Sequence, residues 1–97
     1  MMKSIKISIP SLIENIKIIE SFIDNARENF EINDDIYGNI MISVTECISN
    51  AIIHGNHGDK NKLVHLELAL EEDQLLFTIQ DEGEGFDHNE LKHPTAP

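Results

Sequence analysis

Apolar residues recur along this chain with two different periods. Residues 4–9 alternate, with Ile5, Ile7 and Ile9 on one side and Ser4, Lys6 and Ser8 on the other. That pattern predicts a short half-buried strand, closed by Pro10. Ser11 and Glu14 have the spacing of a capping box, so a helix is expected to start there. Leu12, Ile16, Ile19, Ile23, Ala26 and Phe30 then step by four and three, which gives one buried helical stripe to about residue 30. "EINDD" interrupts the stripe, and Asp34 or Asp35 is a suitable cap for a second helix. That helix carries Tyr37, Ile40, Met41, Val44, Ile48, Ala51 and Ile52 on one face. "HGNHGDKNK" has the composition of a loop. "LVHLELAL" and "QLLFTIQ" read as strands joined through "EED" as a hairpin. "HNEL" is expected to form a turn of helix capped by Asp87, and "KHPTAP" a loop or tail.

The order β-α-α-β-β predicts an α+β fold: a two-layer sandwich with helices on one face of a largely antiparallel sheet. Neither an internal repeat nor a second domain is visible, so residues 1–97 read as a single domain. No uninterrupted apolar run approaches the roughly 20 residues that span a bilayer, and "MMKSIKISIP" lacks the apolar core of a signal peptide. The net charge is −11, from 18 acidic and 7 basic residues. That balance argues against nucleic acid and against an anionic membrane as partners. A single cysteine, Cys47, cannot close an internal disulfide, so a reduced, cytoplasmic setting is expected.

The second helix has a feature that packing does not require. At about 100° per residue, Glu46 and Asn50 lie about 40° apart, with Ser43 and His54 just beyond them. They form a polar ridge away from the apolar face, bordered by Ile42 and Ile53. A solvated face accounts for polar residues at this spacing in most helices. Here, however, an asparagine stands where lysine or glutamate would serve a solvated helix better, and the ridge runs into a loop with Gly55 and Gly58. A carboxylate and an amide one turn apart suit a hydrated Mg²⁺, which prefers oxygen ligands and shares substrate phosphates. The glutamate can also accept a proton from an attacking water or hydroxyl. Downstream, "DEGEGFD" follows the last strand, with Asp81 at its end and Gly83 and Gly85 permitting close approach. Alone, that run is an ordinary tight turn. The five histidines show no structural zinc spacing, and His65 is expected on the polar face of its strand. Cys47 reads as a small apolar residue.

Taken together, Glu46-x-x-x-Asn50-Ala51-x-x-His54-Gly55 resembles the N-box of the GHKL ATPase superfamily, which includes gyrase, histidine kinases and mismatch-repair ATPases. Asp81-x-Gly83-x-Gly85 resembles its G1 box. The variant "NAIIHGN" is most similar to the anti-sigma-factor branch, serine-protein kinases that phosphorylate an anti-sigma antagonist and sequester a sigma factor. The likeness spans residues 5–87 and implies an incomplete Bergerat ATP-binding fold with ATP and Mg²⁺ as cofactors. It implies that Asn50 coordinates Mg²⁺, that Glu46 is the catalytic base and that Asp81 accepts from the adenine amino group. Gly83 and Gly85 would shape the pocket floor, and His54 and Gly55 would close the N-box beside the nucleotide. The family's lid, second glycine-rich box and closing elements do not follow Gly85, and Lys92 is the only basic residue there apart from histidines. The chain therefore reads as a C-terminally truncated version of the domain. The resemblance implies an antagonist protein and a sigma factor as partners, with a homodimer also compatible. A non-catalytic binding module on the same fold, or a histidine-kinase catalytic domain, are the alternative readings.

Overall fold

The computed structural model describes residues 3–72 and 74–83, and the backbone of residues 88–94. Strand β1 (Lys3–Pro10) leads through a 3-10 turn at Ile13–Asn15 into α1 (Ile16–Asn29). Helix α2 (Asp34–Asn50) continues into a π-helical turn at Ala51–Gly55, followed by β2 (Leu63–Glu71), β3 (Gln74–Gln80) and β4 (His88–Pro94). The four strands lie in sequence order and every pair is antiparallel. The α+β class and the antiparallel sheet expected from the sequence are both found.

The register shows why the alternating strands hold together. Ile5, Ile7 and Ile9 pair with Leu68, Leu66 and Val64, and Leu66, Leu68 and Leu70 pair with Ile79, Phe77 and Leu75. Every second residue therefore falls on one face. Onto that face pack Ile19, Ile23 and Ala26 of α1 and Ile40, Val44 and Ile48 of α2, with Ala51 and Ile52 from the π turn. Both helical stripes are those the periodicity predicts. The whole helical run from 34 to 55 is long and apolar enough, by length and composition, to cross a membrane. Asp34, Asp35 and Glu46 are its acidic residues, and Asn39, Ser43, Thr45, Ser49, Asn50 and His54 interrupt it further. In this fold its buried residues belong to the core shared with the sheet.

Three local expectations are corrected. Ser11 does not cap a helix: it is fully buried, its hydroxyl donates to the Lys62 carbonyl at 2.7 Å, and no side chain caps the 3-10 turn. Pairing of Pro10 with Leu63 sets Ser11 beside Lys62, where a buried hydroxyl finds a non-local acceptor. The cap of α2 is Asn33 rather than Asp34 or Asp35. Its Oδ1 accepts from the Asp35 N–H at 2.7 Å, which leaves the two aspartates in the first turn, where the helix dipole favours them. Finally, "HNEL" is strand rather than helix. Residues 88–94 run antiparallel to β3, from Gln80↔His88 to Gln74↔Pro94, and satisfy the backbone groups of an edge that would otherwise stay unpaired. Asp87, the expected cap, and residues 95–97 of the expected tail lie outside the described residues.

Candidate functional site

The site is assembled where α2 ends and β3 ends. The Asn56 N–H reaches back five residues to the Ala51 carbonyl at 2.9 Å, and the Gly58 N–H to the Ile52 carbonyl at 2.8 Å. This widened final turn is of a kind often found at functional sites, and it brings Gly55 against Asp81. A Cβ built on Gly55 would lie 2.1 Å from Asp81 Oδ2 and 2.5 Å from its Cγ. One built on Gly83 would lie 2.0 Å from the Gly55 carbonyl oxygen. Gly55, Asp81 and Gly83 thus interlock with no room for a side chain at either glycine. Close approach, not loop flexibility, explains both glycines.

Asp81 is 3% exposed. Its Oδ1 accepts from the Gly83 N–H at 3.0 Å, while Oδ2 lies over Gly55. A carboxylate removed from water with one backbone donor retains acceptor capacity for a further N–H. The neighbouring residue is anchored elsewhere. Glu82 Oε1 accepts from the Leu63 N–H at 2.8 Å, and Oε2 is 3.1 Å from His65 Nε2. The Leu63 N–H first, then His65, hold the Glu82 carboxyl below the usual carboxylate range. His65 Nδ1 is in turn 2.7 Å from Ser8 Oγ, so His65 lies on the outer polar face of the sheet, as expected, but half-buried and paired. A concavity of about 360 Å³ opens on that outer face, lined by Lys6, Ser8, His65, Glu67, Gln80 and Glu82.

Of the residues singled out in the sequence, the fold brings Gly55, Asp81 and Gly83 into contact. Glu46, Asn50 and His54 remain exposed along the helix that ends at this contact, with Asn50 the last residue of α2 and His54 inside the π turn. Ile42 and Ile53, which border the ridge, are 65% and 46% exposed. Gly85 lies outside the described residues. Among the described residues no cluster of histidine, cysteine and carboxylates is arranged to hold a metal by itself. Cys47 is half-buried, and desolvation, with the nearby Glu46 charge, pushes its thiol up, away from nucleophilic use.

Residues 9–97 match the family described as the histidine kinase-like ATPase domain. The chain belongs to that family. Membership covers nearly the whole sequence and implies nucleotide binding. Similar proteins include the anti-sigma F factor of Oceanobacillus iheyensis, 39% identical over 56 residues, or 57% of this chain and 38% of that protein. The anti-sigma F factor of Bacillus cytotoxicus is 42% identical over 56 residues, with the same coverage. That of Clostridium perfringens is 39% identical over 51 residues, 53% of this chain and 36% of its own length. The matched stretch is therefore well under half of each relative.

Within this histidine kinase-like ATPase domain, three residues of the site were not found from sequence. Asn56 is fully buried and hydrogen-bonded to three separated segments, and Ser11 and Glu82 are among its partners. Apart from its place at the end of "NAIIHGN", the sequence offered only the polarity of "HGNHG", which predicts an exposed loop. Burial of that asparagine depends on strand ends that meet only in the folded chain.

Proposed function

We propose that the Gly55–Asp81–Gly83 contact is the adenine end of an ATP site, and that the domain acts in anti-sigma regulation as a serine/threonine-protein kinase. The observation that carries this reading is the buried Asp81 carboxylate. It is locked by the Gly83 N–H on one oxygen and packed over a side-chain-free Gly55 on the other. An exocyclic amine is the donor such an acceptor suits, and the two glycines let the carboxylate and both backbone segments meet this closely.

The ridge of α2 supplies the other half. Asn50 would hold Mg²⁺ through its amide oxygen, and Glu46, exposed one turn earlier, would accept the proton of an attacking serine hydroxyl. His54 would flank the phosphates at the helix end. Bound Mg-ATP supplies the phosphoryl group and the charge neutralisation on which its transfer depends. By likeness to the anti-sigma F factors, the partners would be a sigma factor and an antagonist protein bearing the acceptor serine. With this goes a cytoplasmic location, which the free Cys47 supports; nucleic acid and membrane are not among the proposed partners.

Calorimetry with Mg-ATP and Mg-ADP tests the site. Binding should weaken about ten- to a hundredfold in Asp81→Asn, the scale of one hydrogen bond to a charged group, and Mg²⁺ dependence should be lost in Asn50→Ala. Binding that survives both substitutions unchanged rules the site out. Nucleotide binding without phosphate transfer to any partner serine would leave a binding module in place of a kinase.

A further inference from the structure

Among the described residues, Ser11, Asn56 and Asp81 are the buried polar side chains. Asp81 belongs to the site above, and Asn56 explains why that site keeps its shape. The Asn56 amide makes three hydrogen bonds to chain segments far apart in sequence. Nδ2 donates to Ser11 Oγ at 2.7 Å, just past β1, and to the Leu63 carbonyl at 3.0 Å, the first residue of β2. Oδ1 accepts from the Glu82 N–H at 2.8 Å, just past β3. The orientation of the amide follows from its neighbours: a carbonyl requires a donor and an N–H an acceptor.

The placement relative to the nucleotide contact is what matters. Asn56 directly follows Gly55, and Glu82 lies between Asp81 and Gly83. The Asn56–Glu82 bond therefore joins the residue after one side of the interlock to the middle residue of the other. It fixes the distance at which Gly55 meets Asp81. The opposite side of the same turn is held by the Glu82 carboxylate on the Leu63 N–H, and Leu63 is itself an Asn56 partner. Turn, helix end and strand start form one closed hydrogen-bonded ring.

We infer that Asn56 is a positioning residue for nucleotide binding, acting through the Glu82 N–H to hold the Asp81 carboxylate and Gly83 at the depth the adenine requires. This rests on the nucleotide reading above. Removing the amide leaves the Glu82 N–H and the Leu63 carbonyl without their buried partner, and the turn relaxes away from Gly55. Asp81 moves with it.

The test compares Asn56→Ala, Asn56→Asp and Asp81→Asn in the full chain, by calorimetry with Mg-ADP and by thermal melts. Asn56→Asp keeps an acceptor for the Glu82 N–H while losing the donors to Ser11 and Leu63. The expected result is that Asn56→Asp lowers the melting temperature yet binds Mg-ADP within about threefold of wild type. Asn56→Ala, at a temperature where it is folded, should bind at least about tenfold more weakly, on the scale of a lost hydrogen bond and its orphaned partner. A purely structural asparagine would show affinity unchanged in folded Asn56→Ala, and that result overturns the inference. Should Asn56→Ala not fold, hydrogen exchange of the wild-type protein decides: the Glu82 amide must be protected before nucleotide is added, and exchange at the rate of an open peptide overturns the inference. If Asp81→Asn weakens binding and Asn56→Ala does not, only the role of Asn56 fails. If Asp81→Asn binds as wild type, the nucleotide reading fails, and this inference with it.

Discussion

Replacing Gly55 with alanine tests the central contact by the smallest available change. The added Cβ would sit 2.1 Å from Asp81 Oδ2, where ordinary contact begins at 3.4 Å, so 3.4 − 2.1 = 1.3 Å must be recovered. Asp81 has little freedom to give it: the residue is 3% exposed and tied to the Gly83 N–H. Overpacking of this kind costs about 1–3 kcal/mol, against which alanine's better helical propensity returns at most about 1 kcal/mol. With the full return subtracted, a net loss of up to about 2 kcal/mol corresponds to a fall in melting temperature of roughly 10 °C for a domain of this size. Nucleotide affinity should suffer more than stability. A displaced Asp81 forfeits a bond to the base worth about 1.5–3 kcal/mol, which is about ten- to over a hundredfold in Kd. Calorimetry on the folded variant measures the second effect and thermal denaturation the first. A double substitution with Asp81→Ala should recover much of the stability lost, because of the clashing atoms only the Cβ of residue 81, at 3.1 Å, then remains. Wild-type affinity and melting temperature in Gly55→Ala would refute the interlock.

Two further expectations follow from residues outside the contact. Gly38 lies on the exposed side of α2 with nothing within 4 Å of a built Cβ, so Gly38→Ala should stabilise by about 0.5–1 kcal/mol through helix propensity alone; a lower urea midpoint would contradict that placement. Glu82 has a folded-state pKa below its unfolded value. Its contribution is therefore present above the ordinary glutamate value of about 4.3 and is lost as pH falls through the lower folded one. Urea midpoints measured down to about pH 3 should show a shallower acid decline in Glu82→Gln than in wild type, and parallel declines would show that the Leu63 and His65 contacts do not matter.

Local patterning determined much of this protein. The two periodicities named β1, β2 and β3 and both helix stripes, because burial on one face demands a period of two in a strand and 3.6 in a helix. The spacing of Glu46, Asn50 and Gly55, set against Asp81 and Gly83, was enough to point to one family, since those residues sit at fixed offsets within single elements. What the sequence could not determine were the contacts between chain ends. Ser11 has the spacing of a cap but is drawn into a buried bond with Lys62, and "HNEL" has the look of a helix start but completes the edge of β3. Asn56 reads as a loop residue, yet it is buried at the meeting of three segments. In each case a backbone or side-chain group buried by tertiary packing must find a partner outside its own element, as far off as Lys62 is from Ser11. Only the folded chain shows which ones meet: Gly55 serves the site by having no side chain where Asp81 lies, and Asn56 by fixing how closely the two approach.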